Sequence, residues 1–462
     1  MGIKEVNLAA YANRFSAYTE LRAQQNTNQR ITLLNGDVVE NASSTDSGIS
    51  ARVYKDGMWG FACAPDLAGG PIEQVIADAT RNAEFLAGRA AKGARSLPVG
   101  KTRQESDFST SKPRRTPEEV IGHLSAIDRH IEKTYPELVS RTVSLWNLDM
   151  EKNLYNSDDS GGYSNTTRSL VIVMLTTRNA AGQPVSLRRP FGGRGQFEDV
   201  FEDPTALYDN IAEVHRHLMN KREAVAPRGG THDVVLDTEL AGILAHEAVG
   251  HTTEADIVLA GSVAGDYVGK QVASPLITMV DFANSYRGET LPVPVYVDDE
   301  GIESEDTVLI DQGVLKSFMH NKQSALHFAV SPTGNARAYQ FFDEPLIRMR
   351  NTAILPGTDK IEDMIASIDD GYYLIWPTNG QADSTSEIMF GISLGYEIKN
   401  GKLGNAITDT TISGVAFDML KEVTMVSDQM SWSCSGMCGK KQIIPVGMGG
   451  PAVKTRIHVG GL

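Results

Sequence analysis

The 462-residue sequence predicts an α+β fold in two domains. The first, 1-225, reads as an N-terminal mixed α/β-sheet domain. The second, 226-462, reads as a C-terminal strand-rich, barrel-like domain carrying a metal-motif helix. Three observations predict this. The chain is longer than one hydrophobic core usually organises. Ala224-Val-Ala-Pro-Arg-Gly-Gly230 loses periodicity and gathers proline and glycine, which marks a linker. Beyond it the chain is mostly closely spaced strands and turns, the pattern of a curved sheet or open barrel.

Composition narrows the function classes. A formal charge of −15 disfavours unaided binding to nucleic acid or anionic membrane. No run approaches the roughly 18 apolar residues of a transmembrane helix. The opening Met-Gly-Ile-Lys-Glu-Val-Asn lacks the apolar core of a secretory signal, and Cys63, Cys434 and Cys438 do not suggest a disulfide scaffold. A cytoplasmic location is expected.

In chain order, 5–25 are expected to form an amphipathic helix. Ile31-Thr-Leu-Leu-Asn-Gly-Asp-Val-Val39 is a hairpin turning at Asn35-Gly36, and Gly48 to Ala62 is a strand pair turning at Asp56-Gly57. Pro71 fits the first turn of a helix ending near Arg89. Thr116-Pro117-Glu118-Glu119 is a capping box that opens a helix to about Thr134. Strand-like runs follow at Arg141 to Leu148 and Ser169 to Thr177. Gly192-Gly-Arg-Gly195 lacks the Lys-Ser or Lys-Thr of a phosphate loop and reads as a plain loop. Asp203-Pro204 opens a helix to about Lys221, on which His215 and His217 read as solvated. Cys63 reads as a small buried residue. Two acidic turns, Ser44 to Gly48 and Ser157 to Gly161, hint at a repeated β unit. In the second half, strands are expected at Pro292 to Val297, Thr307 to Leu315, Ile347 to Leu355 and Gly391 to Leu403. One helix, Asp359 to Asp370 capped by Gly371, interrupts them.

The chemistry concentrates in Asp233-Val-Val-Leu-Asp-Thr-Glu-Leu-Ala-Gly-Ile-Leu-Ala-His-Glu-Ala-Val-Gly-His251. A β-branched run passes an N-cap at Asp237 and enters a helix with Leu240, Ile243 and Leu244 on one face. Neutral imidazole suits zinc, and a carboxylate beside the first ligand can take a proton from water. His246 and His251 lie five residues apart, which in an α-helix places them about 140° apart around the axis. A π-type turn would return them to nearly one side, and Gly250 makes local unwinding inexpensive. Two histidines leave a catalytic metal one protein ligand short. Cys434 and Cys438 offer a thiolate, and Glu254 and Asp256 offer oxygen ligands or groups that orient an imidazole. Glycines 436, 439, 447, 449 and 450 would let backbone approach a metal or a peptide main chain.

His246-Glu-Ala-Val-Gly-His251 with Glu254-Ala-Asp256, Ser331-Pro-Thr-Gly-Asn335, Asn351-Thr-Ala-Ile-Leu-Pro-Gly357, Cys438-Gly-Lys and Pro445-Val-Gly together resemble the TldD/PmbA family, on its TldD side. The likeness runs through most of the chain, including Asp56-Gly-Met-Trp-Gly-Phe61. It implies a zinc metallopeptidase of the His-Glu-x-x-x-His type that cleaves unstructured peptides, in a family historically labelled modulators of DNA gyrase. By motif position it implies metal ligation by His246, His251 and Cys438, and a catalytic base at Glu247. It further implies a dimer, either of like chains or with a PmbA-like subunit. The chain departs from the pattern at Cys434, four residues before Cys438, which offers an alternative ligand or a disulfide partner.

In the mechanism these roles imply, Glu247 takes a proton from water and passes it to the leaving amine, with zinc polarising the carbonyl. His320, Asn335 and Tyr339 are candidate second donors to the oxyanion. Substrate main chain is expected to add as a strand to an exposed sheet edge. Two other readings remain open: a regulatory or binding protein whose zinc is structural, closed by Cys434 as fourth ligand, and a zinc hydrolase of non-peptide amides.

Overall fold

The computed structural model describes residues 2–88, 96–382 and 385–460. The fold is α+β. The first half is built on a seven-stranded sheet. Its strands are β1 (Tyr18–Leu34), β2 (Asp37–Lys55), β3 (Met58–Ala64), β4 (Arg103–Asp107), β5 (Ser140–Asn156), β6 (Gly161–Arg178) and β7 (Pro184–Arg194). They lie in the order β3-β2-β1-β5-β6-β4, with β7 also on β6. Helix α1 (Gly69–Ala87) packs on β2 and β3, and α2 (Pro117–Thr134) and α4 (Tyr208–Arg222) pack on the β5 to β7 side; a short α3 spans Phe197–Val200. The expected capping box forms, with Thr116 accepting from the Glu119 amide and Glu119 from that of Thr116. The hairpins turn at Asn35-Gly36 and Asp56-Gly57, where all four residues have positive φ. The expected end of α1 at Arg89 lies outside the described residues.

The expected helix over 5–25 is absent. Two short 3-10 turns, Ile3–Glu5 and Leu8–Arg14, lead directly into β1. Glu20, Arg22, Gln24 and Asn26 sit on one face of that strand and are buried, because this face is covered by the second domain. Arg22 donates to the carbonyl of Asp343, and Gln24 and Asn26 donate to that of Tyr339, each at 2.6 Å. Alternating polar residues in a buried strand hide its period from a reading based on hydrophobicity.

Other local expectations also differ from the structure. Cys63 is exposed. His217 is not solvated; its Nδ1 lies 2.6 Å from the Tyr396 hydroxyl of the second domain. His215 pairs with Glu137. Gly192 to Arg194 end β7 rather than forming a plain loop, and a Cβ on Gly192 (φ 121°) would lie 2.2 Å from the Ser169 carbonyl oxygen. Ser44 to Gly48 lies inside β2 and is no turn, so the hinted repeat has no basis there. Pro292 to Val297 forms only an isolated bridge from Val297 to Glu303. The helix expected at Asp359 to Asp370 is shorter, Ile361–Ala366, and Gly371 belongs to the next strand rather than to a helix cap.

The second half holds an eleven-stranded sheet. Five of its strands close a barrel: β8 (Gly230–Leu236), Asp370–Ala382, Glu387–Lys399, Thr410–Val415 and Gly447–Gly460. Closure comes from the last strand, which pairs with Thr410–Val415 at one edge and with β8 at the other. Val234, Leu236, Leu374, Phe390, Ile412 and Val453 contribute to the core. Helix α5 (Thr238–Leu244) leaves β8 directly and lies against the last strand through paired glycines. A Cβ on Gly450 would lie 3.0 Å from the Gly242 nitrogen, so Gly450 serves helix packing rather than approach to a metal.

Candidate metal centre

Asp237 follows β8 and caps α5, its carboxylate accepting from the Leu240 amide at 2.9 Å. After Leu244 the helix widens into a π-helix over Ala245–Gly250, and a 3-10 turn, His251–Thr253, closes it. The wide turn brings the His246 and His251 rings to a centroid separation of 5.0 Å, nearly perpendicular to each other. Gly250 is the last residue of this widened turn and has helical φ and ψ. A Cβ there would lie 2.0 Å from Met349 Sδ, and the glycine lets the turn press against that side chain.

Cys438 arrives from the hairpin Met437–Lys440 and Gln442–Pro445. Its Sγ lies 3.4 Å from His251 Nε2. One ligand atom from each of His246, His251 and Cys438 falls within 4.8 Å of the others, the sole such group found among the described residues. Tetrahedral zinc with ordinary bonds to nitrogen and sulfur separates its ligands by roughly 3.3–3.7 Å, so these donors fit such an ion with small side-chain shifts. His246 is 2% exposed, and its buried Nδ1 has no hydrogen-bond partner.

The electrostatics favour ligation. Burial pushes the Cys438 thiol up, but the neighbouring imidazoles of His246 and His251 outweigh it and hold the sulfur well below its ordinary range. Burial works against charge on His251 too, yet Cys438 and Glu254 raise its pKa well above the usual imidazole value. Both shifts reflect the mutual attraction of imidazole and sulfur, and a metal cation would take the place of the proton between them. Glu247 projects from the π-helix with its side chain 15% exposed and one oxygen 3.8 Å from His251 Nε2. Strand Asp370–Ala382 passes over it. A Cβ on Gly380 would come within 3.2 Å of Glu247 Cγ.

The other candidates are placed differently. Cys434 is buried outside the three-residue group, its Sγ 4.0 Å from the Pro292 carbonyl oxygen, and both it and Cys438 are free thiols. Glu254 accepts from His251 Nδ1 at 3.0 Å, and Asp256 is held by Lys440 at 2.9 Å. Among the candidate oxyanion donors, His320 Nδ1 contacts Ser324 and the Asn335 amide is taken by Asp281 and the Arg348 carbonyl. The Tyr339 peptide group binds Gln24, Asn26 and Gln442.

Two residues that sequence reasoning left without a role shape the centre. Arg348, fully buried, donates to the carbonyls of Cys438 at 2.6 Å and Gln442 at 2.9 Å, clasping the hairpin. Lys440 reaches Asp256, Glu254 and the Ile347 carbonyl. The signal for Lys440 was its spacing of two from Cys438, which puts both side chains on one strand face. Arg348 carried no comparable local signal.

Residues 229–461 match the family model described as the PmbA/TldA metallopeptidase C-terminal domain, and 19–87 match its domain 1. A protein named "Metalloprotease" from Methanothermobacter thermautotrophicus is 30% identical over 446 residues, covering 95% of this chain and 94% of the relative. The chain belongs to the TldD/PmbA family. It is also 27% identical to the "Zinc metalloprotease TldD homolog" of Saccharolobus solfataricus, over 90% of each chain. Among solved structures, TldE from Thermococcus kodakarensis matches with a TM-score of 0.76 at 15% identity, covering 98% of this chain and 99% of that one. A Thermotoga maritima protein described as a candidate modulator of a DNA gyrase matches with a TM-score of 0.77 at 20% identity, covering 98% of each chain. TldD/PmbA chains thus share this fold from end to end, and this member carries a metallopeptidase-family domain over its second half.

Proposed function

We propose that this TldD/PmbA chain is a zinc metallopeptidase that cleaves unstructured peptides, with Glu247 as its base and His246, His251 and Cys438 as metal ligands. The observation that carries the reading is the π-turn, which sets two imidazoles against one thiolate with a partly exposed carboxylate from the same turn beside them. Two nitrogens and one sulfur suit borderline-soft zinc. Bound zinc supplies Lewis acidity toward water and a peptide carbonyl. Glu247 stands where it can accept the proton of an attacking water and return it to the leaving amine. A three-ligand set leaves one position for chemistry, whereas a structural zinc is closed by four protein ligands. Cys434, the fourth ligand that reading requires, lies outside the group.

Strand Asp370–Ala382 also supports a peptide substrate. Its pairing with β8 ends at Leu374, whereas Thr378, Asn379 and Gln381 are exposed and Gly380 lies over Glu247. A substrate main chain adding along this strand would gain affinity without side-chain preference and would have to be unfolded to do so. Assembly into a dimer, with a second copy or a PmbA-like chain, and action in the cytoplasm complete the proposal.

Wild type and Glu247→Gln, purified side by side, test it by zinc content and by cleavage of an unstructured peptide. The expected result is equal zinc in both, with kcat reduced roughly 10²- to 10⁴-fold in the variant. Zinc in both with no cleavage by either, alone or with a PmbA-like chain, would favour the regulatory reading. Cleavage of acylated small molecules but not of peptides would favour a non-peptide amidase.

A further inference from the structure

His251 makes two contacts that lead to the same hairpin. Its Nε2 faces Cys438 Sγ at 3.4 Å, and its Nδ1 faces Glu254 Oε2 at 3.0 Å. The other oxygen of that carboxylate lies 3.2 Å from Lys440 Nζ. Cys438 and Lys440 project from one face of the strand Met437–Lys440. The contacts therefore close a ring that runs from His251 through Glu254 and Lys440, along two residues of backbone to Cys438, and back to His251.

We propose that Glu254 and Lys440 are positioning residues that set the metal site before any metal arrives. Glu254 fixes the ring orientation of His251 and keeps the proton on Nδ1, leaving Nε2 to the metal. Lys440 ties the strand bearing Cys438 to that same carboxylate. The inference rests on the metal-ligand reading above and extends it to residues that touch no metal.

The anchoring of each partner supports this. Glu254 is fully buried, and its backbone is pinned by a bridge to Met319, with the Ala255 amide 3.0 Å from the Met319 carbonyl oxygen. The Lys440 ammonium is fixed independently by Asp256 at 2.9 Å and the Ile347 carbonyl at 2.6 Å. Both ends of the Glu254 to Lys440 contact are thus held in place, and ligands held at binding distance in advance avoid the ordering cost of assembling around an ion. An amide at position 254 cannot reproduce the arrangement. Its two neighbours, His251 Nδ1 and Lys440, are both donors, so the amide nitrogen must face one of them.

The test uses the full-length protein and measures zinc affinity by chelator competition, with the visible spectrum of the Co²⁺-substituted form. Glu254→Gln and Lys440→Met are each expected to bind zinc roughly 10- to 100-fold more weakly and to shift the cobalt absorption. The double variant should be little worse than the weaker-binding single, because both act on one ring. Circular dichroism of the metal-free forms establishes that each variant is folded, and Lys440→Met carries the test if Glu254→Gln is not. Folded variants with wild-type zinc affinity and an unchanged cobalt spectrum would overturn the proposal, leaving the pair as mere charge compensation. Losses that multiply in the double variant would also overturn it. A wild-type protein that binds no zinc would instead overturn the metal-ligand reading itself.

Discussion

The assignment at the centre of this protein depends on which of two cysteines meets the histidines. Cys438 sits with His246 and His251, and Cys434 does not. Cys438→Ser should therefore weaken zinc binding by more than the roughly 10- to 100-fold typical of losses one shell out, while Cys434→Ser leaves it unchanged. Zinc-to-chain ratios after dialysis against a chelator distinguish the two. The proton balance gives a second expectation. The His251 imidazole, its pKa raised by Cys438 and Glu254, must be neutral to ligate, and the Cys438 thiol, its pKa lowered by the two imidazoles, must ligate as thiolate. Zinc binding should therefore release protons, and affinity should rise with pH while His251 is still giving up its proton. Titration calorimetry in buffers of different ionisation enthalpy reads the release; a release of zero would contradict a raised His251 pKa.

At the scale of elements, the π-turn depends on what it packs against. With Met349 Sδ only 2.0 Å from a Cβ at position 250, Gly250→Ala must displace that side chain or the turn. A cost of about 1–3 kcal/mol is expected from overpacking, with weaker zinc binding, and Met349→Ala in the same chain should recover part of both. Asp237→Ala removes the cap at the start of the same helix and should cost about 1 kcal/mol by urea unfolding, without altering the metal site directly. Gly380→Ala approaches Glu247 and the Phe390 ring, and should lower peptide cleavage while leaving zinc content intact.

The whole molecule is held together by charge as well as by apolar packing. Arg52 of β2 lies buried between Glu20 of β1, at 2.9 Å, and Glu300 of the second domain. Lys152 of β5 meets Asp299 at 2.6 Å, and Lys322 of the second domain meets Asp158 at 2.7 Å. Removing one member of such a group strands its partners without water. Arg52→Met should cost about 3–5 kcal/mol. If the layer couples the two halves, the urea transition of this variant should also lose cooperativity; a single transition with an unchanged midpoint would show that the layer contributes little.

The elements with strong local signals were legible in the sequence. The Thr116 capping box, the Asn35-Gly36 and Asp56-Gly57 turns, the Asp237 cap and the need for a π-turn between His246 and His251 all follow from spacing and backbone preference over a few residues. What was hidden had its cause elsewhere in the chain. The first strand lacks an apolar period because the second domain buries its polar face, and the backbone that Gly371 and Gly450 admit, at Asp233 and at Ala241-Gly242, is distant in sequence. Arg348 and Lys440 take their roles from contacts across a fold. Local sequence determined which side chains could do chemistry and how one turn must present them, and the family resemblance pointed to Cys438; tertiary structure alone brought that cysteine, and not Cys434, beside the two histidines, because burial and distance between remote segments are properties of the folded chain.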